Sequence, residues 1–479
     1  MSDEPLPINY QTNLYDLGDG KFAQMSHLGF INYYNGSDFV PINTTIIPSL
    51  NPLYDYEVTK GVYQTFFKEN PTEGQAIKFM IGSEYITYQP MALNYRNDLS
   101  QLQQISMINS VQGIPNDNTF LYKDGYGSGI DLQYSYGNDY LKEDLIINSF
   151  SDLVSPEQYI IDGGNATLDL GFILTTNSNK IIIDDVEWDK KNTKETSDEV
   201  YITDEYNNVL YYLRKPYAYD SNNCTQILTY QFRKTGNSLY VTVKTPYSWI
   251  SNTSRVFPVY IDPDTGATSP GTMADDDAVG THDWLDVDNA KIDDANEAYC
   301  NNGEFFTVIS HYLKATNFGF SISSGATIDG IKVEWKKRSG SPYITDEYVQ
   351  LVDSDGSIVT ENKADTSTKW LSTDGGYYIA YGADDDLWGE TWTDTDINDA
   401  GFGAVISADI EMFQRAQIFH VKITVYYTTG PSPPTGPGSG MGMSMGLGFG
   451  GPDSASLTAK VPHLDPGLGM QRHPRSRVH

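Results

Sequence analysis

The sequence predicts an all-β protein of tandem antiparallel β-sandwiches, jelly-roll or immunoglobulin-like, with an extended N-terminal arm and a flexible C-terminal tail. Three observations predict it. Short runs rich in β-branched and aromatic residues recur at regular spacing, each bounded by Gly, Asp, Ser or Pro. In the run from Ile418 to Tyr427, apolar Ile418, Val421, Ile423, Val425 and Tyr427 mostly alternate with polar Lys422, Thr424 and Tyr426, the period of a strand with one buried face. Tyrosine supplies much of the apolar surface, with 35 Tyr against 19 Phe and 7 Trp. That mixture suits sheets better than helices.

At 479 residues the chain exceeds one ordinary hydrophobic core, which suggests about two to four domains. Residues 1–50 read as an arm, Tyr- and Asn-rich with Pro5, Pro7, Pro41 and Pro48, lying on a neighbour as an edge strand or loosely held. Residues 51–262 form a β-rich domain, one large sandwich or two small ones. Its strand runs include Tyr54 to Thr59, Gly61 to Phe67, Ala76 to Ile81, Glu84 to Tyr88, Tyr140 to Asn148, Ala166 to Thr175 and Ser238 to Val243. Its best helix candidates are short, Leu99 to Met107 and Pro156 to Ile160.

Residues 263–271, Pro-Asp-Thr-Gly-Ala-Thr-Ser-Pro-Gly, read as a linker of turn residues. Residues 272–429 read as a complete C-terminal sandwich. Its strands are Tyr312 to Ser321, Ile328 to Lys336, Val349 to Val352, Tyr377 to Tyr381, Gly403 to Ser407 and Ile418 to Tyr427. The last segment, 430–479, opens on Gly/Pro/Met-rich low-complexity sequence that cannot bury enough surface to offset its chain entropy. An echo links the halves: Val186-Glu-Trp188 precedes Tyr201-Ile-Thr-Asp-Glu-Tyr206, as Val333-Glu-Trp335 precedes Tyr343-Ile-Thr-Asp-Glu-Tyr348, which suggests related sandwiches.

The formal net charge of −32 argues against nucleic acid and anionic membrane surfaces as partners, since both need a cationic face. No apolar run is long enough for a membrane-inserted helix, and the N-terminus lacks a basic and apolar leader pattern. The expectation is cytoplasmic synthesis without membrane insertion. Cys224 and Cys300 fall in different predicted domains, so disulfide stapling is not the stabilising strategy.

Catalytic signatures are missing: no Gly-x-Ser-x-Gly elbow, His-Glu-x-x-His helix or phosphate loop occurs, and no catalytic residue is assigned. His311 and His420 sit in strand-like runs, where packing or surface exposure explains them better than catalysis. The acids cluster in turns. A glycosidase would need a facing pair such as Asp385 and Glu390, which nothing in the pattern asks for. No cofactor is expected and no metal ligand is assigned. Asp275 to Asp277 or Asp384 to Asp386 are the loops where Ca2+ would bind if it did, without an EF-hand pattern. The candidate ligand-binding residues are Trp370, Tyr377, Tyr378, Tyr381, Trp388 and Trp392, aromatic side chains close to Asp384 to Asp386. Rings beside carboxylates hold sugars by stacking and hydroxyl hydrogen bonds. The alternative is that Trp388 and Trp392 plug the open end of the sandwich.

Residues 311–428 carry Tyr312-Leu-Lys-Ala-Thr-Asn-Phe-Gly-Phe-Ser321, Asp384-Asp-Asp-Leu-Trp-Gly-Glu-Thr-Trp392 and the closing Val421-Lys-Ile-Thr-Val-Tyr-Tyr427. They resemble a β-sandwich repeated in virion and tail-associated proteins of tailed phages. Residues 54–263, with Asn94-Tyr-Arg-Asn-Asp98 and Phe257-Pro-Val-Tyr-Ile-Asp-Pro263, resemble the β-rich region that precedes it in uncharacterised viral surface proteins. The resemblance implies a non-enzymatic virion structural protein, a subunit of a tail, fibre or other external assembly. Its partners would be copies of itself, other virion proteins and host-surface glycan, and its place the virion, assembled in the host cytoplasm. The competing reading is a carbohydrate-binding or adhesive protein of an extracellular surface.

Overall fold

The computed structural model describes residues 5–429 apart from 160, 179, 223, 264, 267–270, 294–295, 341–342, 359 and 374. The predicted tail, 430–479, lies outside them. The architecture is all-β, of antiparallel sheets. Among the described residues the helical segments are the short α-turns Tyr247–Ile250 and Asp394–Asn398 and three 3-10 turns.

Residues 46 to 266 form one large sandwich. In its ten-stranded sheet Thr229–Thr235, Ser238–Pro246, Thr167–Thr176, Glu84–Arg96 and Ile77–Ile81 are successive neighbours. The second, twelve-stranded sheet includes Ile130–Tyr136, Tyr140–Ile147, Val209–Leu213, Val200–Thr203 and Lys180–Ile183. Leu93, Leu170 and Val243 of one sheet share a continuous core with Leu132, Leu145 and Leu213 of the other. Alternation causes this: in Thr167–Thr176, Leu168, Leu170, Phe172 and Leu174 are buried at every second position.

Two local expectations change. Leu102–Met107 is a strand, because Ile77–Ile81 covers only Glu84 to Tyr88 and leaves Ala92 to Arg96 open to a second partner. An open ladder outweighs weak helical spacing. Pro156–Tyr159 is a 3-10 turn.

The second sandwich contains the largest departure from the sequence reading. Its long closing strand, Arg415–Thr428, pairs on one side with Thr327–Ser339. On the other side Ala298–Asn301 covers only Arg415 to Ile418. Lys21–His27 takes the far end, pairing with Lys422 to Thr428, and Thr12–Gly18 pairs with Lys21–His27 in turn. The described part of residues 1–50, from residue 5 on, is therefore not an arm reaching for a neighbour. Leu28, fully buried, belongs to the core of the second sandwich, and Ile46 to that of the first.

The described residues of the expected linker are also woven in. Thr265–Gly266 pairs with Tyr140 and Leu141 on one side and Tyr212 and Leu213 on the other, and the Gly271 N–H donates to the Leu28 carbonyl at 3.0 Å. The other sheet of this sandwich holds Thr272–Asp276, Tyr312–Thr316, Gly403–Ile410, Val308–Ile309 and Ile344–Val352. The run at Tyr312 stops as a strand at Thr316, where Asn317 turns to φ +62°.

The internal echo does not mark a structural repeat. Val186–Glu187 is a two-residue edge strand with Val186 60% exposed, whereas Val333 and Trp335 are fully buried in the thirteen-residue Thr327–Ser339.

Candidate functional site

Of the six predicted ligand-binding aromatics, four are core residues. The Trp370 indole N–H donates to Asp346 Oδ1 at 2.8 Å and the Tyr381 hydroxyl to Asp346 Oδ2 at 2.6 Å, with Lys337 Nζ 2.5 Å from Asp346 Oδ1. Lys337 is 3% exposed and Asp346 0%. Burial pulls the Lys337 ammonium pKa down and pushes the Tyr381 phenol up.

Trp388 is also fully buried, its indole N–H donating to the Ile331 carbonyl at 2.8 Å. Gly382 makes room for it: at φ +75°, a Cβ there would lie 2.5 Å from the indole nitrogen. Trp392 packs edge-on against Phe402 and donates to the Leu387 carbonyl at 3.0 Å. The plug reading describes Trp388 and Trp392, and no Trp face among these is free to stack on a sugar.

Tyr377 and Tyr378 are half-buried on the edge strand Tyr377–Gly382. Tyr377 accepts the Leu371 N–H at 2.9 Å; the Tyr378 hydroxyl lies 2.8 Å from both Asp293 Oδ2 and His420 Nδ1. The His27 ring lies against that of His420, tilted by 34° with centroids 5.1 Å apart. Burial holds both imidazoles neutral, lowering His27 to about 4. This polar cluster, with Lys336 2.5 Å from Asp293, ties the N-terminal strand to the sandwich.

The acidic loops are largely committed as well. Asp386 pairs with Lys363 at 2.9 Å and accepts the Trp388 N–H, while Asp385 and Glu390 are exposed. Asp276 pairs with Lys314 at 3.2 Å. Asp275 lies 2.8 Å from His311 Nδ1, and with Asp283 these three bring their donor atoms within 4.8 Å of one another. One imidazole and two carboxylates do not make the six-to-eight-oxygen cage that Ca2+ takes.

A cleft of about 650 Å³ lies at one end of the first sandwich. The 3-10 turns Phe150–Asp152 and Pro156–Tyr159 and the α-turn Tyr247–Ile250 build it, and Phe150, Ser155, Glu157, Tyr247, Ser248 and Asn252 line it. Ser149 caps the first turn, its side chain accepting the Ser151 N–H. The Phe150 ring, 42% exposed, leans on buried Tyr247 at 6.3 Å and on Phe257 at 6.1 Å. In the same cleft the exposed Glu157 carboxylate is held by the Ser155 hydroxyl, which lowers its pKa. Gly163 lets the backbone pass: a Cβ there would lie 2.6 Å from Glu157 Oε1.

An exposed aromatic ring lining the same cleft as an ionised carboxylate and Ser and Asn side chains can stack on an apolar sugar face and accept its hydroxyls. Sequence reading passed over these residues because they sit in turns far apart in the chain. The Ser149-Phe-Ser-Asp152 capping pattern was the one local signal.

At one end of the second sandwich lies a different feature. Phe305 (79% exposed), Phe306 (62%), Met412 (51%) and Phe413 (55%) project from two loops, with Phe305 edge-on to Phe413 at 4.8 Å. The buried Asn302 amide holds the loops together, donating to the carbonyls of Phe306, Ile410 and Glu411 at 2.8, 2.9 and 3.1 Å. Phe413 stands at φ +58°, a conformation that costs a side-chain-bearing residue about 1 kcal/mol.

No family model matches this sequence, and no curated protein does. Among solved structures the chain is similar to the N-terminal CBM22-1-CBM22-2 tandem domain of Xyn10C from Paenibacillus barcinonensis, at 10% identity over 66% of this chain and 92% of that one, with a TM-score of 0.14. An exo-beta-1,3-galactanase from Phanerochaete chrysosporium matches at 9% identity over 84% and 100%, TM-score 0.13. The Trypanosoma rangeli sialidase matches at 8% over 89% and 94%, TM-score 0.12. Likeness this slight leaves the chain's own geometry as the ground for its function.

Proposed function

We propose that this is a non-enzymatic recognition protein of an external assembly, whose first sandwich holds a saccharide in the cleft between Phe150 and Glu157. The observation that carries the reading is the cleft, a concavity of about 650 Å³ lined by both the exposed Phe150 ring and an ionised carboxylate. In titration calorimetry against a panel of neutral oligosaccharides, the native chain is expected to bind at least one. Phe150→Ala should weaken that binding about tenfold, the worth of one stacked ring. Glu157→Gln should weaken it too, and neither change should move the melting temperature appreciably because both side chains face solvent. Heat silence across the panel would refute the reading.

A second reading, a virion subunit of a tail, fibre or similar appendage that associates with its own kind, draws support from the tip formed by Phe305, Phe306, Met412 and Phe413. Apolar rings exposed on a loop framework fixed by a buried Asn are more often contact surface than accident. Light scattering should then give an oligomer for the native chain and a monomer for Phe305→Ser/Phe306→Ser. A native monomer would count against it.

A further inference from the structure

We propose that Lys142 and Asp262 are joined by an intramolecular amide, formed by the chain itself with Asp144 as the proton carrier. The reacting groups are already adjacent. Lys142 Nζ lies 2.5 Å from Asp262 Oδ2 and 3.6 Å from Asp144 Oδ1. The antiparallel pairing of Leu145 with Ile261 brings Asp144 and Asp262 to the same end of neighbouring strands. Asp262 is 0% exposed and Asp144 3%, and the Lys142 side chain 15%.

Tyrosine rings close the surroundings. Lys142 Nζ stands 4.8 Å from the centre of the Tyr219 ring and 5.9 Å from that of Tyr217, and Tyr219 stacks on Tyr260 at 4.6 Å.

An ordinary ion pair accounts poorly for this composition. Two carboxylates around one ammonium leave an excess negative charge in a site shielded from water, where desolvation offsets most of the Coulomb attraction. Burial and the Asp262 charge push Asp144 up to about 7, so near neutrality it is protonated in a large fraction of molecules. Asp262 Oδ1 is buried and accepts no hydrogen bond. The forms that react are the neutral amine and the neutral acid, and a proton passed from the ammonium to the carboxylate within the adjacent pair yields both.

In the step, the Lys142 amine attacks Asp262 Cγ and the new N–C bond forms. Asp144 gives its proton to the departing oxygen and recovers one from the nitrogen, and the C–O bond breaks. An ammonium and a carboxylate become an amide and one water, with charge and atoms balanced and no co-reactant. Fixed proximity supplies what the bimolecular reaction lacks.

The pair Lys337 and Asp346 is the internal contrast. Its spacing is also 2.5 Å, but the carboxylate of nearby Asp365 is turned away, accepting from Ser367 and Thr368, and Asp346 is saturated by Trp370 and Tyr381. That pair should stay ionic.

The test is the intact mass of the denatured full chain, allowing for the initiator Met. It should be lighter than the sequence mass by one water, about 18 Da. Proteolysis should yield a branched peptide containing Lys142 and Asp262. Lys142→Ala and Asp262→Ala should restore the full mass. Asp262→Asn should instead lose ammonia, about 17 Da, and Asp144→Asn should slow closure in freshly refolded protein. The proposal is overturned by a native chain at full sequence mass. It is equally overturned by a water loss that persists in Lys142→Ala, as a succinimide at Asp355-Gly356 would. If Lys142→Ala does not fold, the branched peptide from the native chain decides alone.

Discussion

Removing residues 1–31 is expected to unfold the second sandwich rather than to release a monomer from an assembly. The closing strand Arg415–Thr428 would lose its partner over Lys422 to Thr428, exposing seven residues of unpaired backbone at the centre of a sheet. Gln11, whose amide donates to the carbonyls of His27, Leu28 and Asn317, would go with it, as would Ser26, whose hydroxyl bonds the Phe318 carbonyl. Leu28 would leave a hole in the core. In the full chain Leu28→Ala alone should cost about 3 kcal/mol, the usual result for a fully buried leucine whose site cannot collapse. The deletion removes far more than that, and a bare, largely apolar edge invites aggregation. Chemical denaturation followed at the buried Trp335, Trp370 and Trp388 is the measurement. A truncated chain with an unchanged transition would show that Lys21–His27 is dispensable, and residues 1–50 would again read as an arm.

That strand was hidden from sequence reading for a physical reason. Lys21–His27 alternates only weakly, with Ala23, Gln24 and Ser26 as its buried side chains, so its hydrophobic signal is slight while its hydrogen-bonding role is large. Pairing partners four hundred residues away leave no local trace. Where burial is carried by apolar residues at period two, as in Arg415–Thr428 and Thr167–Thr176, the elements were legible to within a few residues. Tryptophans near acids were ambiguous because stacking on sugar and plugging a sandwich both call for large rings. Only the hydrogen bonds of Trp370 and Trp388 separate the two. The cleft was illegible because its lining comes from turns around Phe150, Glu157 and Tyr247, which no periodicity marks.

Asp346→Ala is expected to be among the most damaging single substitutions in the chain. Asp346 joins the two sheets of the second sandwich: it lies on Ile344–Val352 of one sheet and binds Lys337 on Thr327–Ser339 of the other. It also accepts from Trp370, Tyr381 and the Asp365 N–H, four donors in all with Lys337. Removing it leaves a lysine that is 3% exposed without its counter-charge, against the faces of Trp370 and Tyr381 at 4.9 and 5.2 Å. Breaking a buried pair from one side costs about 3–5 kcal/mol, because the remaining charge must be desolvated alone or neutralised. The indole and phenol donors lose their acceptor in addition, at about 1–3 kcal/mol each when buried.

Lys337→Met combined with Asp346→Leu should recover part of the loss, since the uncompensated charge is then gone, but not the part owed to Trp370 and Tyr381. The ordering of the single and double variants in urea midpoints therefore separates charge from hydrogen bonding. If Asp346→Ala and the double variant are equally destabilised, the unpaired ammonium is not the source. The damage would then lie in the lost acceptor for Trp370 and Tyr381, and the lysine would be a passenger in a network organised around the carboxylate.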